Sequence, residues 1–315
     1  MTPLKQDTST PPTATPGWNR RPERSTPWML AIIVWVARHL GRGSARALLI
    51  PIVAYFYLTS ITARQASRQF LGRALARPAR ATDVLRNLYA FAVCALDRVF
   101  LLAGRHHMIR IERYAPKAVM NRIHDGGALL LTAHLGSFDA LRVFGVDKYD
   151  IRFRIVMDRQ HAPMITRVLE RLNPKMADEI IDSDGGPALA LALREALDQH
   201  SIVGMMADRL TGTDPGIAVP FMGKLARLPV TPWRWAAALG APVLLCFGLY
   251  RGGNLYELYF EVFSEQRGPV PRAERTAHVE ACIQRYATRL EHYARKAPYN
   301  WFNFYDFWSD DAARH

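Results

Sequence analysis

The sequence predicts an α/β protein with a mixed, mainly parallel central sheet flanked by helices, preceded by N-terminal membrane-associated helices. Three observations support this fold class. From residue 108 onward, short apolar runs alternate with amphipathic helical stretches, the pattern of a sheet covered by helices. Two longer apolar runs flank Gly252, Gly253 and Asn254, which indicates a hairpin and some antiparallel pairing. Two further apolar runs near the N-terminus have basic flanks.

The composition allows one large domain with a sizeable core. The chain has 315 residues, half of them hydrophobic, which is generous for a soluble domain but too polar for a protein with many membrane spans. Its formal net charge is +13. Such an excess suits nucleic acid, an anionic membrane surface, or an acidic protein or substrate. The three cysteines are scattered among apolar residues, which indicates core thiols in a reducing compartment.

The N-terminal third divides into a tail and a helical region. Residues 1–26 are rich in Pro, Thr and Ser and are predicted to be a disordered tail. Residues 27–104 form the predicted membrane-associated helical region, with apolar runs at 28–37 and 47–58. Both runs are shorter than the roughly 20 residues that cross a bilayer core. Buried helices, a monotopic anchor with arginines on lipid phosphates, and a single tilted span all stay open, and the basic flanks favour the anchor.

Residues 105–315 form the predicted α/β domain. Strands are expected at 108–112, 128–133, 153–157, 179–181, 202–207, 243–250 and 255–263. Helices are expected at 137–145, 162–172, 187–198 and 272–296. The aromatic cluster at 299–308 is expected to pack on the core rather than at a membrane interface.

His134 directly follows the predicted strand 128–133 and is the candidate general base. Ligands in α/β folds bind at the carboxyl ends of strands. Gly136 permits a tight turn, and Ser137 is a candidate N-cap for the next helix. Asp139 would then lie in the first helical turn, where the dipole favours an ionised carboxylate.

His134 and Asp139 are therefore the predicted catalytic pair. Side chains five apart do not share one face of a continuous helix, so the turn must fold the histidine back towards the carboxylate. A carboxylate on one ring nitrogen fixes the tautomer, and the other nitrogen can deprotonate a hydroxyl. On these residues alone, a structural histidine is an equally good interpretation.

No enzyme nucleophile accompanies this pair. The sequence has no GxSxG elbow and no cysteine in the segment, which favours direct attack by a substrate hydroxyl. It has no HExxH or Cys/His ligand set, so no metal and no cofactor are expected. A nucleic-acid partner is not expected either, since no recognised binding motif occurs.

The segment HLGSFD resembles the HxxxxD/E motif of glycerolipid and lysophospholipid acyltransferases. The wider chain, over residues 28–308, resembles the lipid A biosynthesis (LpxL/HtrB-like) branch. The similar segments are LGRGSARALLIPIVAYFYL, VMDRQHAP, the block from MADR through VPFMGKLARLPVTP to YRGG, and the aromatic C-terminal stretch. The resemblance implies a glycerolipid acyltransferase-like fold at the cytoplasmic face of the inner membrane. It also implies transfer of a fatty acyl group from acyl carrier protein or acyl-CoA to a lipid hydroxyl.

The same resemblance implies roles for four residues. His134 would be the general base, Asp139 its orienting carboxylate, Arg159 a group near the acceptor or the oxyanion, and Asp208 a substrate-site acid. Many members of the branch have Glu where this chain has Asp139, and the FPEGTR phosphate-binding block of the broader superfamily is absent.

Other interpretations stay open for several of these features. Arg159 is also compatible with a surface arginine, and Asp208 with Arg209 is compatible with a structural ion pair. The basic segment 223–229 is either a mobile loop over the site or an ordinary turn before a helix. A non-catalytic lipid-binding protein of this fold and a hydrolase are the alternative functions.

Overall fold

The computed structural model describes residues 41–102, 104–125, 127–141, 151–157, 179–183, 186–210 and 214–308. The predicted tail 1–26, the apolar run 28–37, the helix 162–172 and Arg159 lie outside these residues.

Three helices precede the sheet. They are α1 (Gly41–Thr59), α2 (Ile61–Ala74) and α3 (Ala81–Leu102). The axes of α1 and α2 differ by 95° across the break at Ser60. Among the described residues, no single helix has the length and hydropathy of a membrane span, and α1 with α2 meets that test only as a bent pair.

The exposed apolar side chains are concentrated in this helical region. Of ten large hydrophobic side chains that are exposed in the described chain, five lie between residues 48 and 61: Leu48, Ile50, Tyr55, Leu58 and Ile61. We call these five the apolar patch. The opposite side of α1 packs inward through Ala45, Leu49 and Val53, so the helix is apolar on two sides.

A buried ion pair fastens α1 to the rest of the fold. Arg42 donates to both carboxylate oxygens of Asp97 on α3, at 2.7 and 2.6 Å, and Asp97 also accepts from the hydroxyl of Tyr256 at 2.8 Å. Asp97 is fully buried. Since breaking such a pair leaves a buried charge without a partner, it holds α1 in one position.

The central sheet has seven strands in the order β1-β9-β8-β2-β5-β3-β4. The strands are β1 (Arg110–Tyr114), β2 (Ala128–Thr132), β3 (Phe153–Met157), β4 (Ile180–Asp182), β5 (Ile202–Met206), β8 (Val243–Gly252) and β9 (Leu255–Ser264). Every neighbouring pair is parallel except β8 with β9, which form the predicted hairpin. The predicted fold class, a mixed and mainly parallel sheet flanked by helices, is confirmed.

Helices cover the sheet, and those at 187–198 and 275–296 lie close to predicted helices, whereas the helix at 117–125 was not predicted. They are α4 (Lys117–Asp125), α5 (Pro187–Asp198), α6 (Thr231–Leu239) and α7 (Arg275–Lys296). A further helix begins at Phe138, and its residues 138–141 are described. β2 is buried along its whole length, as a central strand covered on both faces must be.

A second, two-stranded sheet occupies the basic segment before α6. Strands β6 (Ile217–Phe221) and β7 (Lys224–Leu228) pair antiparallel around a turn at Met222 and Gly223, both of which have positive φ. That geometry is typical of a two-residue hairpin. The two interpretations of this segment as a mobile loop or a plain turn were wrong.

Candidate active site

The site lies where two neighbouring parallel strands end. Thr132, the last residue of β2, is in register with Met206, the last residue of β5. His134 and Asp208 each follow two residues later, so the parallel register brings them to the same point of the sheet edge. The amide of Ala207 donates to the carbonyl of Thr132 at 2.9 Å and continues the pairing beyond the strands.

Two glycines let the loop after β2 lie against β8. Gly136 has φ +77°, and a Cβ there would come within 1.9 Å of the carbonyl oxygen of Gly248. A Cβ on Gly248 would come within 2.3 Å of the carbonyl oxygen of Ser137. Ser137 caps the helix that begins at Phe138, since its hydroxyl accepts from the amide of Ala140 at 3.3 Å. The tight turn and the cap predicted for this segment are confirmed.

The imidazole of His134 is bonded to Asp208. Its Nδ1 lies 2.8 Å from Asp208 Oδ1, and its backbone amide donates to Asp208 Oδ2 at 3.0 Å. Two further donors reach Oδ2, the indole nitrogen of Trp301 at 3.0 Å and the amide of Asn303 at 3.2 Å. Asp208 is fully buried.

This hydrogen bonding assigns the protons of the pair. A carboxyl group surrounded by donors is ionised, because the charged form accepts every bond. Burial alone would raise the pKa of Asp208, but the contacts with His134 outweigh it and the pKa is lowered. Nδ1 of His134 therefore carries the proton, and Nε2 carries a free lone pair.

His134 is neutral near pH 7. Burial lowers the pKa of His134 most, and the nearby positive charges of Arg209 and Arg98 lower it further, against the raising effect of Asp208. The side chain keeps 28% exposure, so a ligand can reach it. A neutral imidazole with one accessible lone pair is the form that a general base requires.

Asp139 forms an ion pair with a residue other than His134. Its Oδ2 is 2.9 Å from Nε of Arg98 on α3, and it is buried with 6% exposure. The sequence predicted a hydrogen bond between Asp139 and the imidazole ring of His134. The structure places Asp208 there instead. The helix that begins at Phe138 turns Asp139 towards α3, whereas the parallel register delivers Asp208. A catalytic role for either carboxylate stays a prediction.

The sequence did not indicate the C-terminal partners of Asp208, and for Arg209 it suggested only an ion pair with Asp208. Trp301 and Asn303 hold Asp208, and Arg209 donates to Asn303 Oδ1 at 2.6 Å and to the carbonyl of Phe302 at 2.8 Å. The aromatic stretch 299–308 does pack on the core as expected, with Trp301 and Trp308 both buried. Its polar residues, Asn300 and Asn303, were the available signal, since asparagines in an apolar segment need partners.

A comparison with protein families assigns the chain to a family. The model of the bacterial lipid A biosynthesis acyltransferase family matches residues 19–309, nearly the whole chain. The chain belongs to this family. The resemblance noted in the sequence is thereby confirmed. A search of curated protein sequences gives no match.

Membership of the lipid A acyltransferase family makes the chain an acyltransferase with an acyl donor and a lipid acceptor. In the part of the chain that the structure describes, no group of three or more His, Cys, Asp or Glu is placed to hold a metal ion.

Proposed function

We propose that this protein is an O-acyltransferase in which His134 deprotonates a hydroxyl of a lipid acceptor for direct attack on a fatty acyl thioester. The observation that carries the proposal is the bond between Nδ1 of His134 and buried Asp208, which leaves Nε2 as the base. Acyl carrier protein or coenzyme A would supply the thioester.

The proton and the bonds balance over two steps. Nε2 of His134 takes the proton as the acceptor oxygen bonds to the thioester carbonyl carbon, and Asp208 stabilises the imidazolium. The C–S bond then breaks, and the leaving sulfur takes the proton back from Nε2. The products are an ester and a thiol. Arg159, which lies outside the described residues, is proposed near the acceptor or the oxyanion, and Asp208 is proposed as the carboxylate that orients the base.

The proposed location is the cytoplasmic face of the inner membrane, where both donor and acceptor are available. The apolar patch and the net charge of +13 support it, because apolar side chains beside arginines suit an anionic bilayer surface.

The test replaces His134 by Ala or Gln and follows transfer from acyl carrier protein and acyl-CoA to a lipid A precursor by mass spectrometry. We expect kcat to fall by about 10³-fold or more, because the variant lacks the group that deprotonates the acceptor hydroxyl. The matched control is H107Q, since His107 is exposed and lies in the segment before β1. In the wild type, the rate should fall only below the ordinary imidazole pKa of about 6.5, because the base is inactive once protonated.

Two results would contradict the proposal. One is full transfer by H134A. The other is release of free fatty acid at the same rate with and without acceptor, which would make the protein a hydrolase.

A further inference from the structure

Arg98 brings a positive charge to the loop that carries His134. It projects from α3, and its Nε lies 2.9 Å from Asp139 Oδ2. This ion pair connects the N-terminal helical region to the first turn of the helix after the candidate base. No feature of the sequence pattern points to Arg98, because it lies 36 residues before His134 on a separate helix.

Among the described residues, one carboxylate oxygen of Asp139 has no hydrogen-bond partner. This oxygen, Oδ1, is buried. Leaving a buried acceptor unpaired destabilises the fold, because the oxygen loses its hydrogen bonds with water. A ligand hydroxyl that donates to Oδ1 would remove this cost.

Arg98, in contrast, can donate hydrogen bonds to a ligand. About a third of its side chain is exposed (32%), and the described residues offer it only the pair with Asp139. A guanidinium has five N–H donors, and the Nε of Arg98, which faces Asp139, is buried, so the exposed part of the side chain is the part that an incoming anion can reach. The positive charge of Arg98 also contributes, after burial and Arg209, to the lowered pKa of His134.

We propose that Arg98 and Asp139 form a binding subsite for the acceptor headgroup, in which Asp139 Oδ1 accepts from a hydroxyl and Arg98 binds a neighbouring phosphate. The inference rests on the proposed acyl transfer and adds to it. The ligand class is a hydroxylated, phosphorylated lipid headgroup. Asp139 is then a binding residue, and Asp208 alone orients His134.

A binding role accounts for the presence of two opposite charges at a partly buried position. An isolated buried ion pair is not by itself stabilising, since desolvation offsets the attraction. A pair with one unpaired acceptor and several unpaired donors is instead suited to a ligand that supplies both partners.

The experiment compares two acceptors, a phosphorylated lipid A precursor and the same lipid after phosphatase treatment. R98Q should raise the acceptor KM by about tenfold or more with the phosphorylated lipid, as expected for a lost charge-assisted bond. It should leave the donor KM unchanged and have little effect with the dephosphorylated lipid. The matched control is R86Q, which removes an exposed arginine from the same helix and should change neither constant.

A second variant distinguishes a loss of acceptor binding from misfolding. R98Q leaves Asp139 without its cation, so the double variant R98Q/D139N removes both charges together. It should remain folded and still show the raised acceptor KM. Equal effects on both acceptors, or unchanged constants, would overturn the subsite. A raised donor KM would also overturn it, because Arg98 would then bind the donor's phosphate. Transfer by H134A, in contrast, would contradict the proposed function and not the subsite.

Discussion

The carboxylate of Asp208 accepts four hydrogen bonds, and these bonds keep it ionised and fix its orientation. Two come from His134, one from Trp301 and one from Asn303. A side chain fixed from three directions keeps both its charge and its orientation, so the imidazole it contacts has one tautomer. Within the described part of the chain, Asp139 contacts one cation and has one oxygen without a hydrogen bond, which is a poorer arrangement for orienting a base.

Replacement of the two carboxylates should therefore give different kinetic results. In D208N the amide can donate to Nδ1, which forces the proton onto Nε2 and removes the base. We expect kcat to fall on the order of 10²–10⁴-fold, as for the wrong tautomer in a catalytic triad. D139N should retain most of kcat and raise the acceptor KM. Steady-state kinetics with both substrates varied checks this, and a larger kcat loss in D139N than in D208N would reverse the assignment.

At the scale of elements, α1 and α2 combine a buried attachment with an exposed apolar surface. The Arg42–Asp97 pair holds α1 on α3, while Ile50 and Leu58 are 63% and 70% exposed. Exposed apolar side chains scattered singly need no explanation, but five within 14 residues form a surface that a bilayer can cover. The bend of 95° between the two helices suits a pair that lies in the interface.

Charged replacements in the apolar patch should weaken membrane binding without affecting folding. Each buried Leu or Ile contributes about 1.5–3 kcal/mol to transfer from water, so I50D with L58D should lower vesicle binding by about 100-fold or more. The measurement is co-sedimentation with vesicles of phosphatidylethanolamine and phosphatidylglycerol. L191D is the matched control, because Leu191 on α5 is also 70% exposed. Equal loss in both variants would show that the patch is not the contact surface.

At the scale of the whole molecule, the site is assembled from four distant parts of the chain. Arg98 comes from α3, the base from the loop after β2, Asp208 from the end of β5, and Trp301 with Asn303 from the C-terminal stretch. The stretch also bonds to the base loop directly, since the amide of Phe302 donates to the carbonyl of His134 at 2.9 Å. Catalysis should therefore depend on the residues of this stretch that contact Asp208 and His134, and not on the stretch as a whole.

Two tryptophans of that stretch separate catalytic from structural effects. Trp301 donates to Asp208, whereas Trp308 donates to the carbonyl of Phe221 at 3.3 Å, and both are buried. W301F and W308F should each lose about 1–3 kcal/mol of unfolding free energy, because each leaves a buried acceptor short of a donor. Only W301F should lower kcat. Urea unfolding and kinetics on the same samples test this, and equal activity in the two variants would remove Trp301 from the site.

The sequence by itself determined the fold class, most strands and the position of the candidate base at a strand end. The apolar runs located β2, β3, β5, β8 and β9 to within a few residues. β2, β5 and β8 are buried over most of their length, whereas β9 alternates between buried and half-buried residues, and both patterns give a short apolar run in the sequence. Gly136 and Ser137 located the turn and the cap, since both act through local geometry. The hairpin of β6 and β7 was not found, because its two-residue turn at Met222 and Gly223 lacks the usual Asn-Gly or Asp-Gly signal.

Only the tertiary structure decided which residues meet at His134. Asp139 is five residues away in the chain and Asp208 is 74 away, yet the ring bonds to Asp208. The reason is the parallel pairing of β2 with β5, which places residues of equal register at one sheet edge whatever their distance along the chain. The contact between Asp139 and Arg98 likewise depends on tertiary structure, because the packing of α3 brings Arg98 to Asp139. No local sequence pattern predicts that contact.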